Sequence, residues 1–319
     1  MRALHPDITA LMQAAGVPTL GAVPPDEARR GYSASRRALQ LPLDPMAEIR
    51  NIVIPGPGGP LPLRLYRGAP LGTPLPCLLY LHGGGWVLGD LDSHEGICRR
   101  IAAVAACCVI AVDYRLAPEC PFPAAVEDAA AALQWVADHA GEIGIDAGLI
   151  AVGGDSAGGN LATVLAIMGR DGTVPRAGYQ LLFYPATDLR MTGDSYERVV
   201  DGVPLTANSM RYFIDHYIPD PAGRKDWRAS PMLAETLEGL PPALVLTCGH
   251  DPLCTDGQLY AARLEREGIA VTALHLSDQA HGILNMSKAI GAASGVLDFA
   301  AALLREAWRI HADKSIQGA

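Results

Sequence analysis

The stretch Val152-Gly153-Gly154-Asp155-Ser156-Ala157-Gly158-Gly159-Asn160 decides the fold. An apolar run of strand length, Leu149-Ile150-Ala151-Val152, precedes it, and residues 160–168 read as a buried helix after it. Between them stands Gly-x-Ser-x-Gly, with Gly154, Ser156 and Gly158. A strand, a sharp turn and a helix hold a serine hydroxyl up at the end of a sheet. The glycines answer to sterics, because side chains at both flanking positions would collide with neighbouring backbone in so tight a turn. The following helix offers its first amides and the positive end of its dipole to any anion forming at the serine.

Strands and helices alternate on both sides of this stretch. Strands are predicted at 47–54, 61–67, 77–81, 107–112, 178–184, 243–248 and 269–276, and helices at 93–105, 124–139, 255–267 and 287–308. The turn Pro55-Gly56-Pro57-Gly58-Gly59-Pro60 makes the first two strands a hairpin. Such alternation implies an α/β fold, with a mostly parallel sheet covered by helices on both faces. Residues 1–45 read as helical and partly apolar, with Leu4, Ile8, Leu11 and Met12 at helical spacing and a second helix starting at Pro24-Pro25-Asp26-Glu27. Residues 186–228 read as an irregular, polar insertion with a helical piece at 207–217. We expect these two segments to cap a core made of residues 46–185 and 229–319.

Composition narrows the partners. Half of the 319 residues are hydrophobic, so a large core can be buried. The net charge of −9, with no basic stripe, argues against a nucleic-acid partner. The seven cysteines are odd in number and lack a Cys-x-x-Cys pair, and several fall in predicted strands. That pattern points to a reducing, cytoplasmic setting. The start Met1-Arg2-Ala3-Leu4-His5-Pro6-Asp7 lacks the apolar core of a signal peptide. No apolar run reaches the ~18 residues of a membrane span.

In a parallel α/β sheet the ligand site lies at the carboxyl ends of the strands. The polar residues just after predicted strands are His82, Asp113, Ser156, Asp251 and His281. A serine hydroxyl needs a base within hydrogen-bond reach, and the base needs an acid to orient it. His281, in a short polar loop before Gly282, is the predicted base, and Asp251, directly after the penultimate strand, the predicted acid. The chain order Ser, Asp, His is that of the α/β-hydrolase arrangement. His275 lies within a strand, His250 should diverge from its neighbour Asp251, and His94 and His139 fall on predicted helices, where solvation is expected. Asp256, in the first turn of a helix, is the second choice of acid. Attack on an ester carbonyl creates an oxyanion, and Gly83, Gly84 and Gly85, together with the amide of Ala157, supply up to three donors.

Together these residues resemble the hormone-sensitive-lipase family of α/β-hydrolase esterases, in its bacterial carboxylesterase branch. The resemblance spans residues 45–308. It rests on His82-Gly-Gly-Gly-Trp86, Asp113-Tyr-Arg-Leu-Ala-Pro-Glu119, Gly154-Asp-Ser-Ala-Gly-Gly159, Asp251-Pro-Leu253 and His281-Gly282. It implies an α/β-hydrolase fold with an eight-stranded sheet under a helical cap. It further implies hydrolysis of short- to medium-chain acyl esters through a Ser156 acyl-enzyme, and a structural role for Asp113 and its run. Two adjacent glycines would share the oxyanion with Ala157, Gly84 being common to either pair. The chain departs from the family at Cys254-Thr255 and at Ile283, neither of which touches the three predicted catalytic positions. The acyl pocket should be apolar, with Trp86, Tyr184, Met210 and Phe213 as candidate lining. No cofactor is expected, and no metal, since no two histidines stand at His-x-x-x-His spacing. An amidase, lactonase or thioesterase on the same residues, or a non-catalytic ligand receptor like the plant hormone receptors that resemble this family, are the alternatives. The last strand, at a sheet edge, could pair with a second copy.

Overall fold

The computed structural model describes residues 2–15, 23–70 and 72–317. Met1 and residues 16–22 of the expected N-terminal cap segment lie outside the described residues. The chain opens with α1 (Pro6–Ala15) and α2 (Pro25–Ala38), followed by the hairpin of β1 (Glu48–Gly56) and β2 (Gly59–Arg67). The hairpin closes across Gly56 and Gly59, with Pro57 and Gly58 as its turn. Then come β3 (Leu75–Leu81), α3 (Glu95–Ala105), β4 (Cys108–Val112), α4 (Ala124–Asp138), β5 (Ile145–Asp155), α5 (Ala157–Arg170) and β6 (Gln180–Phe183). The short α6 (Ser195–Arg198) and α7 (Ala207–Tyr217) interrupt the alternation, which resumes with β7 (Ala243–His250), α8 (Cys254–Arg266), β8 (Val271–Ala280) and α9 (Ala292–Gln317).

One sheet of eight strands results, in the order β1-β2-β4-β3-β5-β6-β7-β8. Only β2 runs against its neighbours; the six strands from β4 to β8 in the sheet order are parallel. Side-chain alternation along the strands divides the core into two layers. Cys77, Leu79 and Leu81 of β3 face the layer holding Leu133 of α4, Leu161 of α5 and Tyr260 of α8. Leu78 and Tyr80 face the layer holding Ile97 of α3 and Leu297 and Leu304 of α9. The doubly covered sheet is the expected one. β5 lies near its middle, so its carboxyl end sits where strands from both sides deliver side chains.

Two boundaries, and the burial of one segment, depart from expectation. β8 continues to Ala280, so His281 follows a strand directly and not a loop beginning at 277. Pairing with β7 extends it, His250 lying opposite Ala280 after a register shift. A 3-10 turn, Ile283–Met286, precedes α9, which starts five residues later than predicted. The insertion 186–228 is less polar in place than in sequence: Leu189, Tyr196, Val199, Val203 and Leu205 are all buried. Four of these five lie outside its helices, in connecting segments that carry no period to betray their burial. Among the described residues no helix is long and apolar enough to cross a membrane.

Candidate active site

Ser156 sits between β5 and α5 with φ 58° and ψ −117°. A left-handed backbone is costly for a residue with a Cβ and persists only where the surroundings over-determine it. Those surroundings are packed backbone. A Cβ on Gly154 would lie 2.3 Å from the Leu81 carbonyl oxygen, and one on Gly158 only 1.8 Å from it, both under the 3.0 Å that real Cβ atoms respect. The Ser156 amide donates to the Phe183 carbonyl at 2.9 Å, tying the turn to β6. Trp86 and Tyr184, at φ 59° and 37°, are two further left-handed residues beside the site.

β7 and β8 deliver the partners. Asp251 is fully buried, and its Oδ1 accepts the Leu253 amide at 2.8 Å. Its Oδ2 lies 2.8 Å from His281 Nδ1, and His281 Nε2 lies 2.9 Å from Ser156 Oγ. A carboxylate only accepts, so Nδ1 carries the ring proton and donates to Asp251. Nε2 is then the free lone pair, and the Ser156 hydroxyl donates to it. The predicted rivals are engaged elsewhere. His275 Nδ1 meets Thr247 Oγ1 at 2.9 Å, and His250 Nε2 donates to the Arg2 carbonyl at 2.9 Å. Asp256 accepts the amides of Thr187 and Asp188 and the Tyr196 hydroxyl, fastening the insertion to α8.

The glycine run divides. Gly84 and Gly85 line the cleft with Ser156, and their amides, like that of Ala157, have no acceptor among the described residues. Gly83 is the glycine of the three whose amide is engaged within the chain: it donates to Asp155 Oδ1 at 3.0 Å. Asp155 is the buried hub that spacing did not reveal. It also accepts the Tyr80 hydroxyl at 2.7 Å, and its Oδ2 lies 3.3 Å from His94 Nε2. Burial pushes its carboxyl up, but His94 and Tyr80 outweigh that and hold it below the usual carboxylate range. His94, expected to be solvated on a helix, instead precedes α3, only 1% exposed, with Nδ1 2.9 Å from Ser93 Oγ. His82 is pushed down to about 4 by burial and by His94, so it is neutral near pH 7. Its ring stacks on Tyr114 at 4.3 Å, and its carbonyl accepts the Tyr114 hydroxyl at 2.7 Å. The run from Asp113 thus anchors the glycine loop from behind, and the Ala117 amide holds the Trp86 carbonyl at 2.8 Å.

Of the four candidate lining residues, Met210 and Phe213 of α7 do line the cleft. Trp86 and Tyr184 do not. Trp86 is fully buried and stacks on Tyr217 at 4.5 Å, bracing α7 against the glycine loop. Tyr184 is also fully buried, its ring 4.6 Å from that of His281, and so supports the histidine from outside the cleft. Sequence reasoning missed Tyr32 and Arg36 of α2, Pro204 and Leu205, and Asn285, which line it as well. An arginine on a polar helix carries no local mark of facing a cleft. Asn285 does stand four residues after His281, where a turn brings it back to the site.

Residues 78–285 match the family described as alpha/beta hydrolase fold, Abhydrolase_3. The chain is 43% identical over 263 residues to the carboxylic ester hydrolase LipN of Mycobacterium tuberculosis, covering 80% of this chain and 70% of that one. It is 38% identical over 301 residues to the ethyl acetate hydrolase of Pseudomonas putida, covering 90% and 94%. Among solved structures, an esterase of Pyrobaculum calidifontis superposes with a TM-score of 0.88 at 39% identity, covering 95% of this chain and 98% of that one. With that extent of match in sequence and in fold, the chain belongs to the hormone-sensitive-lipase-like family of α/β-hydrolases.

Proposed function

We propose that this chain is a serine carboxylesterase that hydrolyses short- to medium-chain acyl esters through a Ser156 acyl-enzyme. The observation that carries the reading is the continuous path from Asp251 through His281 to Ser156 Oγ, at the strand ends beside three unengaged amides. The esterase names of the relatives support the reaction class. In this reading Ser156 Oγ attacks the ester carbonyl as His281 Nε2 takes its proton. Asp251 steadies the imidazolium that forms. The amides of Gly84, Gly85 and Ala157 receive the oxyanion, each worth roughly 10²–10³ in rate. His281 returns the proton to the leaving alcohol, and water then repeats the cycle on the acyl-enzyme. The apolar wall formed by Pro204, Leu205, Met210 and Phe213 supports an acyl pocket. A receptor that merely bound its ligand would have no use for a base aligned on the serine.

In the same reading, residues 1–45 and 186–228 act as the cap, since α2 and α7 both reach the cleft over the core of 46–185 and 229–319. The burial of six of the seven cysteines as core residues supports a cytoplasmic setting. The open edge of β8 supports a homodimer, which light scattering tests. The reaction is tested with p-nitrophenyl esters of increasing acyl length. Turnover by the wild type should peak at short chains and fall by at least about 10³-fold in Ser156→Ala. Folded wild type that turns over none of the esters would sink the reading.

A further inference from the structure

Two residues of the cleft wall each carry a buried polar atom without a hydrogen-bond partner. One atom is Arg36 Nε on α2; the other is Asn285 Oδ1 in the turn after His281. Both residues meet Tyr32. The Arg36 guanidinium carbon lies 4.8 Å from the centroid of the Tyr32 ring, and the Asn285 amide nitrogen donates to the Tyr32 hydroxyl at 3.2 Å. The contacts of the Asn285 carboxamide can be met with oxygen and nitrogen exchanged. In that orientation the oxygen accepts from Tyr32 and faces His94 Nε2, and the NH2 takes the place of the unpartnered oxygen. The cleft therefore has two unlike walls: an apolar one from residues 204–213 and a polar, cationic one from α2 and residue 285.

Two other arginines of α2 are paired within the chain. Arg29 of the same helix pairs with Asp26 and Glu119, and Arg37 pairs with Asp92. Arg36 has no carboxylate partner among the described residues. Asp155 also lines the cleft, but Tyr80, Gly83 and His94 already engage its oxygens. The Arg36 guanidinium lies over the Tyr32 ring, and that cation–π contact holds it at the cleft wall. A guanidinium on a cleft wall without a carboxylate partner is matched by a carboxylate.

We propose that Arg36, with Tyr32 and Asn285, forms a carboxylate-binding subsite, so that this enzyme's preferred esters carry a free carboxylate besides the ester group. Such substrates are monoesters of dicarboxylic acids, with the charge on the acyl side, or acylated hydroxy acids, with the charge on the alcohol side. The inference rests on the reading of Ser156 as the nucleophile.

The test compares matched esters in a pH-stat. Monoethyl adipate is set against ethyl hexanoate for the acyl side, and 4-acetoxybutanoate against butyl acetate for the alcohol side. For at least one pair, the ratio of kcat/KM for the anionic over the neutral ester should fall about tenfold from wild type to Arg36→Met, the size expected for losing a charge-assisted hydrogen bond. Arg36→Lys should retain part of the ratio, and added salt should shrink it in the wild type. The pair that responds identifies the side. Ratios that agree between wild type and Arg36→Met in both pairs overturn the subsite. Absence of turnover of the neutral esters by folded wild type counts against the esterase reading instead. Calorimetric binding of monoethyl adipate then still decides the subsite: binding about tenfold weaker in Arg36→Met upholds it, and equal binding overturns it.

Discussion

At the scale of single residues, what matters is which lone pairs and which N–H groups are left over. His281 has one nitrogen committed to Asp251, so the other is free for Ser156. Asp251→Asn would leave the fold in place but put an amide opposite Nδ1, favouring the tautomer that presents a proton to Ser156 instead of a lone pair. We expect kcat to fall roughly 10³–10⁴-fold, with the melting temperature little changed. Activity within about tenfold of wild type would assign the orienting acid elsewhere. The same accounting divides the glycine run. Gly83 has an acceptor in Asp155 and is therefore a support for the loop, whereas Gly84 and Gly85 keep their amides for a ligand. Asp155, next to Ser156 in sequence, lines the cleft and holds this loop through the Gly83 amide.

At the scale of elements, α7 links the insertion to the chemistry. The Thr206 hydroxyl oxygen caps it by accepting the Ser209 amide at 3.2 Å. Met210 and Phe213 stand three residues apart, one turn of helix, so both point into the cleft. Tyr217, one turn further on, stacks on Trp86 with the rings 1° from parallel. Phe213 also explains Gly85, since a Cβ there would lie 2.2 Å from its ring. Phe213→Ala would empty the wall above Gly85 and cost about 3 kcal/mol of stability. The acyl-length optimum on p-nitrophenyl esters should move to longer chains. An unchanged optimum in a folded variant would place the acyl chain against the polar wall.

At the scale of the whole molecule, one buried acid couples stability to pH. Asp256 joins the insertion to α8, and burial above all pushes its carboxyl up to about 8. An unfolded aspartate titrates near 3.9. Between these values the folded chain keeps a proton that the unfolded chain has released. The contribution is therefore full below about pH 4 and is lost as pH rises through about 8. Asp256→Asn should remove this dependence, so its melting temperature should gain on wild type between about pH 5 and about pH 8. Melting curves that stay parallel across that window would show that Asp256 ionises as an exposed aspartate does.

The sequence by itself determined the sheet, the turn that lifts Ser156, and the order in which Asp251 and His281 follow it. These depend on local pattern: an apolar run, a glycine-bracketed turn, a polar residue directly after a strand. Periodicity reports burial along one element, and a residue at a strand's carboxyl end has few places to go. Only the tertiary structure decided what crosses between elements. That His94 is buried on Asp155, 61 residues away, cannot be read from the helix it precedes. That Tyr32 and Asn285, 253 residues apart, share one wall of the cleft has no local signature at all. For the same reason Trp86 and Tyr184 were expected to line the cleft and instead brace it, while Arg36 was unmarked and faces it. A side chain's position at a strand end follows from its own backbone, but its partner follows from how distant segments pack, and that packing is a property of the whole chain.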